Sequence, residues 1–115
     1  MTFKRGDIVL ALFPDSNLKT AKARPVLVVQ ADGLVTGLPQ TVVAMITSNQ
    51  GCAGHPSRIS ISLATPEGRR TGLQSDSVIM TDNLRTILDS NINRALGVWT
   101  DMPAVDAALR RTLGL

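Results

Sequence analysis

The stretch "KARPVLVV", residues 22–29, decides the fold, because a basic approach leads through a proline into an aliphatic run suited to burial. Three of the four residues after the proline are valine, and β-branched residues favour a strand over a helix. Proline is tolerated at the first position of a strand, so a buried strand is predicted over 25–31. Arg24 is then expected at the mouth of this strand, where a charge flanking a strand end is the simplest interpretation.

Four other stretches predict strands. "DIVLALF" begins after Gly6 and ends before Pro14, and "SRISISL" alternates polar and apolar residues, which is typical of a strand with one buried face. Several short strands with turn-rich connections indicate a small barrel or a strongly curled sheet, to which "LRTIL" or "ALGVW" can add further short strands. The predicted strands besides 25–31 cover 7–13, 41–48, 57–63 and 76–82.

One helix is predicted after these strands. Thr100 or Asp101 can cap it, Pro103 fits its first turn and Gly114 can terminate it. Asp106 and Arg110 stand four residues apart, a spacing that allows an ion pair on a helix. The apolar stripe expected to cover the core consists of Met102, Val105, Leu109 and Leu113.

Composition restricts the class of protein. The chain has 115 residues, of which 43% are apolar and 3% aromatic, so one packed domain over 1–115 is predicted. So few aromatic residues disfavour an RNA-binding platform that stacks one aromatic ring per base. The net charge of +3 and the pI of about 9.8 permit a polyanionic partner without requiring one.

Cysteine content and hydropathy indicate the cellular compartment of the protein. Cys52 is the only cysteine, so no internal disulfide can form, and this suits a reducing cytoplasm. Cys52 and the nearby His55 supply too few ligands for a structural zinc site, so their segment is predicted to be a loop without a metal. No stretch approaches the ~20 apolar residues of a membrane span, and no signal peptide is evident. A soluble cytoplasmic protein is therefore expected.

Five segments in order, "RGDIVLALF", "RPVLVVQ", "VVAMITSN", "SDSVIMTDNLRTI" and "VDAALRRTLGL", resemble the MazF/PemK family of toxins from type II toxin–antitoxin systems. The resemblance implies a mainly-β α+β fold, an SH3-like β-barrel of five to seven strands with a C-terminal helix, in a homodimer. It also implies a metal-independent endoribonuclease that needs no cofactor, cuts single-stranded RNA and is restrained by a cognate antitoxin. The whole chain, 1–115, would form this single toxin domain.

The resemblance also implies a reaction centre. The arginine of the family's "RPVLV" and the threonine at the end of its next strand form the proposed catalytic pair, and they correspond to Arg24 and Thr47. The chain departs from the family at Lys19, where many members carry a glutamate, and at Met80, where one branch carries an arginine. The residues expected to bind substrate are Lys19, Lys22, Ser48, Asn49, Arg58 and Asp82.

The chemistry implied is attack by the substrate's own 2′-hydroxyl, giving a 2′,3′-cyclic phosphate and a 5′-hydroxyl. A single histidine excludes a two-histidine mechanism within one protomer. Arg24 would stabilise phosphorane charge, since its pKa above ~12 makes it a poor proton donor. Thr47 could bind the 2′-hydroxyl or simply satisfy backbone groups at a strand end. The general base stays open among Asp15, Asp76 and Asp82, and Asp82 could instead form a structural ion pair with Arg85.

Two other functions are compatible with the sequence. CcdB-like toxins resemble this family in fold but poison DNA gyrase by binding it, and they use a Trp-Gly terminus, whereas this chain ends in "TLGL". The chain could also be an RNA-binding module that lacks catalysis, since the glutamate of the first loop is missing. Fold alone does not decide between these hypotheses.

Overall fold

The computed structural model describes residues 3–115, and within them six strands form one antiparallel sheet in the order β4-β5-β3-β2-β1-β6. Two helices and two short 3₁₀ turns, over Gln50–Cys52 and Asp89–Asn91, complete the described fold. The prediction of a mainly-β α+β fold with a helix near the C-terminus is confirmed. The elements are β1 (Asp7–Pro14), β2 (Ala21–Val28), β3 (Gln40–Thr47), β4 (Arg58–Ile61), α1 (Pro66–Arg69), β5 (Ser77–Leu88), β6 (Ile92–Val98) and α2 (Met102–Leu113).

The central strands are buried on both faces. Successive side chains of a strand point to opposite faces of a sheet, and alternate residues of β1, β2 and β3 accordingly join two different apolar clusters. This burial explains why these strands are continuous apolar runs in the sequence. The first cluster includes Ile8, Leu27, Ala44, Ile46, Trp99 and Val105, and the second includes Val9, Phe13, Val26, Val28 and Val43.

β2 differs from its prediction, since it covers Ala21–Val28 rather than 25–31. The β1–β2 hairpin extends the pairing outward to Pro14 and Ala21. Backbone hydrogen bonds hold this outer part, so it can be a strand without the apolar pattern on which the prediction was based. Beyond the strand, the N–H groups of Val29 and Gln30 share one acceptor, the carbonyl of Val42, so regular pairing stops there. Arg24 therefore lies inside the strand, opposite Ala11, and not at its mouth.

β5 joins two predicted strands into one long, bent strand. It runs from Ser77 through "LRTIL", because a bulge of residues 81–83 shifts the register against β3 without breaking the pairing. Thr81 in the bulge is fully buried and donates to the carbonyl of Ser57 at 2.6 Å. β4 is shorter than its predicted span of 57–63, and β6 begins before "ALGVW", at Ile92.

α2 begins and ends where the sequence predicts. The Asp101 carboxylate accepts a hydrogen bond from the N–H of Ala104, and Gly114 ends the helix with a φ of 71°. Val105 is fully buried, but Leu113 is 55% exposed, so its place in the apolar stripe was wrong. Thr112 takes the inward position in that turn, where its hydroxyl meets that of Thr81 at 2.9 Å. No helix within residues 3–115 is long and apolar enough to cross a membrane.

Arg5 joins the beginning of the described chain to α2. Its guanidinium contacts Asp106 at 2.6 Å and donates through Nε to the carbonyl of Val29 at 2.9 Å. Its backbone N–H donates to Asp32 at 2.8 Å. Asp106 thus pairs with a residue 101 positions away rather than with Arg110, its neighbour on the helix.

Gly72 lies in the connection between α1 and β5, where this segment packs closely against β6. The N–H of Val98 donates to the carbonyl of Arg70 at 3.0 Å, which brings the two segments together. A Cβ at Gly72 would lie 2.0 Å from the carbonyl oxygen of Leu96, so only glycine allows this approach. Residues 72–75 are thereby fixed beside the end of β6.

We expect Gly72→Ala to lower the free energy of unfolding by about 1–3 kcal/mol more than Gly37→Ala, as overpacked sites do. The two glycines have similar φ values, 72° and 77°, but nothing lies within 4 Å of a Cβ at Gly37. The pair therefore separates steric overlap from backbone strain. Urea denaturation measures the difference, and equal destabilisation of the two variants would contradict the proposed close packing.

Candidate active site

The candidate site forms where β2 and β3 separate. Their ladder pairs Val26 with Met45 and then stops. Continued for two more residues, the same register would set Arg24 opposite Thr47, on the same face of the sheet. Instead the strands diverge after Val26, and the gap between them becomes a cleft that opens between these two side chains.

The cleft has a volume of about 470 Å³ and receives residues from five regions of the chain. Arg24 and Thr47, the predicted catalytic pair, both line it, as does Ser48. The surface combines polar groups with half-buried aliphatic side chains, so a ligand would meet both charge and apolar area. The remaining lining residues are Leu10, Ala23, Pro25, Ile46, Gly72, Leu73, Gln74, Ser75, Ser77, Arg94 and Leu96.

Arg24 forms an ion pair with the carboxylate of Asp15. Its Nη2 donates to Oδ1 of Asp15 at 2.9 Å, and its side chain remains 32% exposed. The buried Nε has no hydrogen-bond acceptor within residues 3–115. An unsatisfied buried donor costs about 1–3 kcal/mol, so a movement that gave Nε an acceptor would recover a hydrogen bond.

The β1–β2 turn fixes Asp15. The Thr20 hydroxyl donates to Oδ2 of Asp15 at 2.6 Å, and the N–H of Asp15 donates to the Thr20 carbonyl. Leu18 adopts a left-handed conformation with φ 59°, while Asn17 accepts from two following N–H groups. The hydrogen bond from Thr20, followed by that from Arg24, lowers the pKa of the Asp15 carboxyl below 3.8.

Thr47 also has a role at the strand end. Its Oγ1 accepts a hydrogen bond from the N–H of Asn49 at 3.2 Å, while its hydroxyl hydrogen stays available as a donor. The Asn49 side chain accepts from Gly51 and caps the following 3₁₀ turn, outside the cleft lining. Thr47 is thus compatible with both predicted roles, since it supports the backbone at the strand end and also lines the cleft, where it could bind substrate.

Lys19 and Lys22 lie outside the cleft lining. Both are exposed, Lys19 in the β1–β2 turn and Lys22 on the outer part of β2, two residues before Arg24. Lys22 contributes to the lowered pKa of the Asp15 carboxyl through its positive charge. The two lysines therefore add positive charge to the β1–β2 hairpin that carries Arg24, and their contact with substrate stays a prediction.

Arg58 and Asp82 lie away from the cleft and bind each other. Nη2 of Arg58 contacts Oδ2 of Asp82 at 2.9 Å, and Nη1 donates to the carbonyl of Cys52. The hydrogen bond from Arg58 lowers the pKa of the Asp82 carboxyl. Asp82 forms a structural ion pair, but the predicted partner, Arg85, was wrong. Asp82 pairs with Arg58 instead, because β4 places Arg58 beside the bulge of β5. A substrate-binding role for Arg58 and Asp82 stays a prediction.

All three candidate bases have protein partners. Asp15 binds Arg24 and Asp82 binds Arg58, whereas Asp76 accepts a hydrogen bond from the N–H of Leu63 at 2.8 Å. The lowered pKa of Asp15 makes its carboxylate a weak base. Within residues 3–115, no group of three or more histidine, cysteine, aspartate or glutamate side chains could hold a metal ion.

The sequence did not reveal two parts of the cleft. Arg94 enters from β6, where it is exposed and pairs in register with Leu10. Residues 72–75 enter from the connection before β5, a segment predicted only as a loop. Neither has a local motif, since their position depends on the β1–β6 pairing and on the close packing at Gly72.

Comparison with known proteins identifies the family. The model of the family described as "PemK-like, MazF-like toxin of type II toxin-antitoxin system" matches residues 4–113. The chain belongs to this toxin family. It is also 34% identical over 118 residues to "Endoribonuclease EndoA" of Bacillus subtilis (strain 168), covering 100% of this chain and 97% of the relative. The toxin is thus homologous to an endoribonuclease over its full length, which favours the nuclease hypothesis over its two alternatives.

Solved structures share the fold of this toxin. An endoribonuclease in complex with its cognate antitoxin, from a mycobacterial species, superposes with a TM-score of 0.76 at 21% identity, covering 99% of this chain and 97% of that one. Mycobacterium tuberculosis toxin MazF-mt6 gives a TM-score of 0.74 at 25% identity, with coverage of 95% and 97%. The fold of the whole toxin is therefore that of known MazF-type proteins.

We expect acid to destabilise the toxin through Asp15 and Asp82. Both carboxyl groups have folded pKa values below 3.8, so their stabilisation is present above that pH and is lost as the pH falls through the folded values. Asp15→Asn should lower the free energy of unfolding at pH 6 and flatten its decline below pH 4. Urea denaturation across this pH range tests the expectation, and a constant offset between wild type and variant would refute it.

Proposed function

We propose that this toxin is a metal-independent, sequence-selective endoribonuclease that cuts single-stranded RNA in the cleft between Arg24 and Thr47. Cleavage of messenger RNA would inhibit translation and growth. The observation that supports the proposal is the convergence of both side chains on one cleft, with a second cation, Arg94, on its lining. A phosphodiester would find positive charge, a hydroxyl group and apolar surface in the same space.

Arg24 is the electrostatic part of the proposed reaction. As the 2′-oxygen attacks phosphorus and the P–O5′ bond breaks, negative charge grows on the non-bridging oxygens, and a planar guanidinium can bind two of them. Attachment to a strand with a buried continuation gives Arg24 a rigid position. The Nε, which has no acceptor in the part of the chain that the structure describes, supports this role, because a phosphate that drew the guanidinium outward would satisfy it.

Thr47 and Ser48 are the hydroxyl groups of the proposed centre. With its oxygen accepting from Asn49, the Thr47 hydroxyl can donate to the 2′-oxygen or to a phosphate oxygen. Ser48, exposed at the strand end, can bind the neighbouring sugar or phosphate. Asp15 acts as a positioning residue for Arg24, because its lowered pKa leaves it a poor acceptor for the 2′-hydroxyl proton.

The proposed catalytic pair is tested by incubating long single-stranded RNA with purified protein in EDTA. We expect wild type to cut at recurring sites and leave 2′,3′-cyclic phosphate and 5′-hydroxyl ends. Arg24→Ala and Thr47→Val should each reduce the cleavage rate by about 100-fold or more, as loss of a transition-state donor does. Arg24→Lys keeps the charge without the planar fork, so it should recover only part of the rate.

Arg111→Ala is the matched control, because Arg111 is an exposed arginine of α2 outside the cleft. It should cleave at the wild-type rate, and circular dichroism should show that all variants are folded. Cleavage that persists in Arg24→Ala and Thr47→Val would mean that the centre lies elsewhere. Cleavage that stops in EDTA and returns with Mg²⁺ would refute the metal-independent mechanism.

We propose that Lys19 and Lys22 bind the RNA backbone beside the cleft. For single strands, the logarithm of the binding constant falls with log salt by about 0.7 per neutralised phosphate. Lys22→Ala should therefore reduce this slope by about 0.7, measured with RNA carrying a 2′-deoxy nucleotide at the cleavage site to prevent cutting. Arg111→Ala should leave it unchanged, and an unchanged slope in Lys22→Ala would place the RNA elsewhere.

We further propose a cytoplasmic homodimer restrained by a cognate antitoxin, with the curled sheet closed as an SH3-like barrel. The mycobacterial relative crystallised with its antitoxin supports the partner. An acidic, disordered segment of the antitoxin would suit the basic surface around Arg24, Lys22 and Arg94, and would compete with RNA for it.

A further inference from the structure

Residues 72–75 provide the cleft with a wall that is fixed in place. Thr71, fully buried just before this wall, donates to the carbonyl of Gly68 at 2.6 Å and accepts from the N–H of Leu73 at 3.2 Å. The close approach of Gly72 to Leu96 anchors the same segment on β6. Because their backbone is fixed, the side chains of residues 72–75 can make contacts that distinguish one ligand from another.

Gln74 is the polar side chain of this wall with the greatest capacity for hydrogen bonding. It is exposed and lines the cleft, and its amide offers two donor hydrogens beside an acceptor oxygen. Nearby polar groups are already engaged, since Gln50 donates to the carbonyl of Asp76 and Ser77 donates to that of Ser75. Within residues 3–115, the structure gives the Gln74 amide no such partner.

Part of the cleft lining is apolar. Leu10, Leu73 and Leu96, each half-buried, line the same cleft. A nucleobase has flat apolar faces and a polar edge, so aliphatic side chains can cover one face while an amide contacts the edge. Single-stranded RNA is read in this way, by its splayed bases rather than its backbone.

We propose that Gln74 and three leucines of the cleft lining, Leu10, Leu73 and Leu96, form a nucleobase subsite, and that Gln74 selects adenine next to the cleaved linkage. The proposal rests on the proposed nuclease function, whose phosphate contacts at Arg24 and Thr47 carry no sequence information. A glutamine amide binds adenine in a bidentate manner, with its oxygen accepting from N6–H and its nitrogen donating to N7. Guanine presents two acceptors on that edge, N7 and O6, and cannot satisfy the amide oxygen.

The isosteric change Gln74→Glu gives a sharp test, because a carboxylate keeps the acceptors and loses the donors. Carboxylates accept from the N4 amino group of cytosine. Wild type, cutting a randomised RNA pool whose ends are then sequenced, should show adenine at one position flanking the cut. Gln74→Glu should shift that position toward cytosine, with adenine disfavoured by about tenfold relative to wild type. Gln74→Ala should lose the preference there and keep the remainder of the recognition sequence.

Gln40→Glu is the matched control, since Gln40 lies at the other end of β3 from Thr47 and outside the cleft lining. It adds the same negative charge and should change neither the recognition sequence nor the rate. If wild type cuts and Gln74→Glu retains the wild-type preference at every position, the subsite proposal is wrong while the nuclease stands. If wild type does not cut RNA at all, the proposed function itself has failed. If Gln40→Glu also loses the preference for adenine, the added charge alone explains the result with Gln74→Glu, and the subsite proposal is wrong.

Discussion

The early end of the β2–β3 ladder is the constraint on which the site depends. Val26 and Met45 are the last paired residues, and the two chains then separate instead of continuing to Arg24 and Thr47. In an unbroken ladder Arg24 and Thr47 would be a cross-strand pair with adjacent Cβ atoms, and no cleft would separate the two strands there. β2 keeps its shape beyond that point because β1 alone pairs with it as far as Ala21. The cleft therefore opens between strands that are each held on their other side.

Charge in the cleft follows from this geometry. Arg24 gains a carboxylate partner from the β1–β2 turn, which the extended hairpin holds beside it. The partner neutralises part of the charge and orients the guanidinium, at the cost of a buried Nε without an acceptor within residues 3–115. Arg94 arrives on β6, a strand that is distant in sequence and adjacent in space. Two arginines thus line one cleft, and among residues 3–115 Asp15 is the carboxylate ion-paired to one of them.

The sequence predicted what depends on local patterns. Period-two alternation and aliphatic runs located the strands, and Asp101 with Gly114 bounded the helix, because caps and burial act over a few residues. The outer half of β2 was missed because exposed residues 21–23 form a strand only through the hairpin. Leu113 was misplaced because Thr112 finds a buried hydroxyl partner in β5. Arg24 and Thr47 came from the family resemblance, whereas Arg94 and Gln74 depend on contacts between distant segments that no single sequence displays.

The three contacts of Arg5 have a consequence for biosynthesis. Arg5 is hydrogen-bonded to Val29, just after β2, and, across 101 positions, to α2. Proteins emerge from the ribosome N-terminus first, so these contacts can all form only after α2 has left the exit tunnel. A nascent toxin therefore has the β1–β2 hairpin available before it can form the ion pair between Arg5 and Asp106.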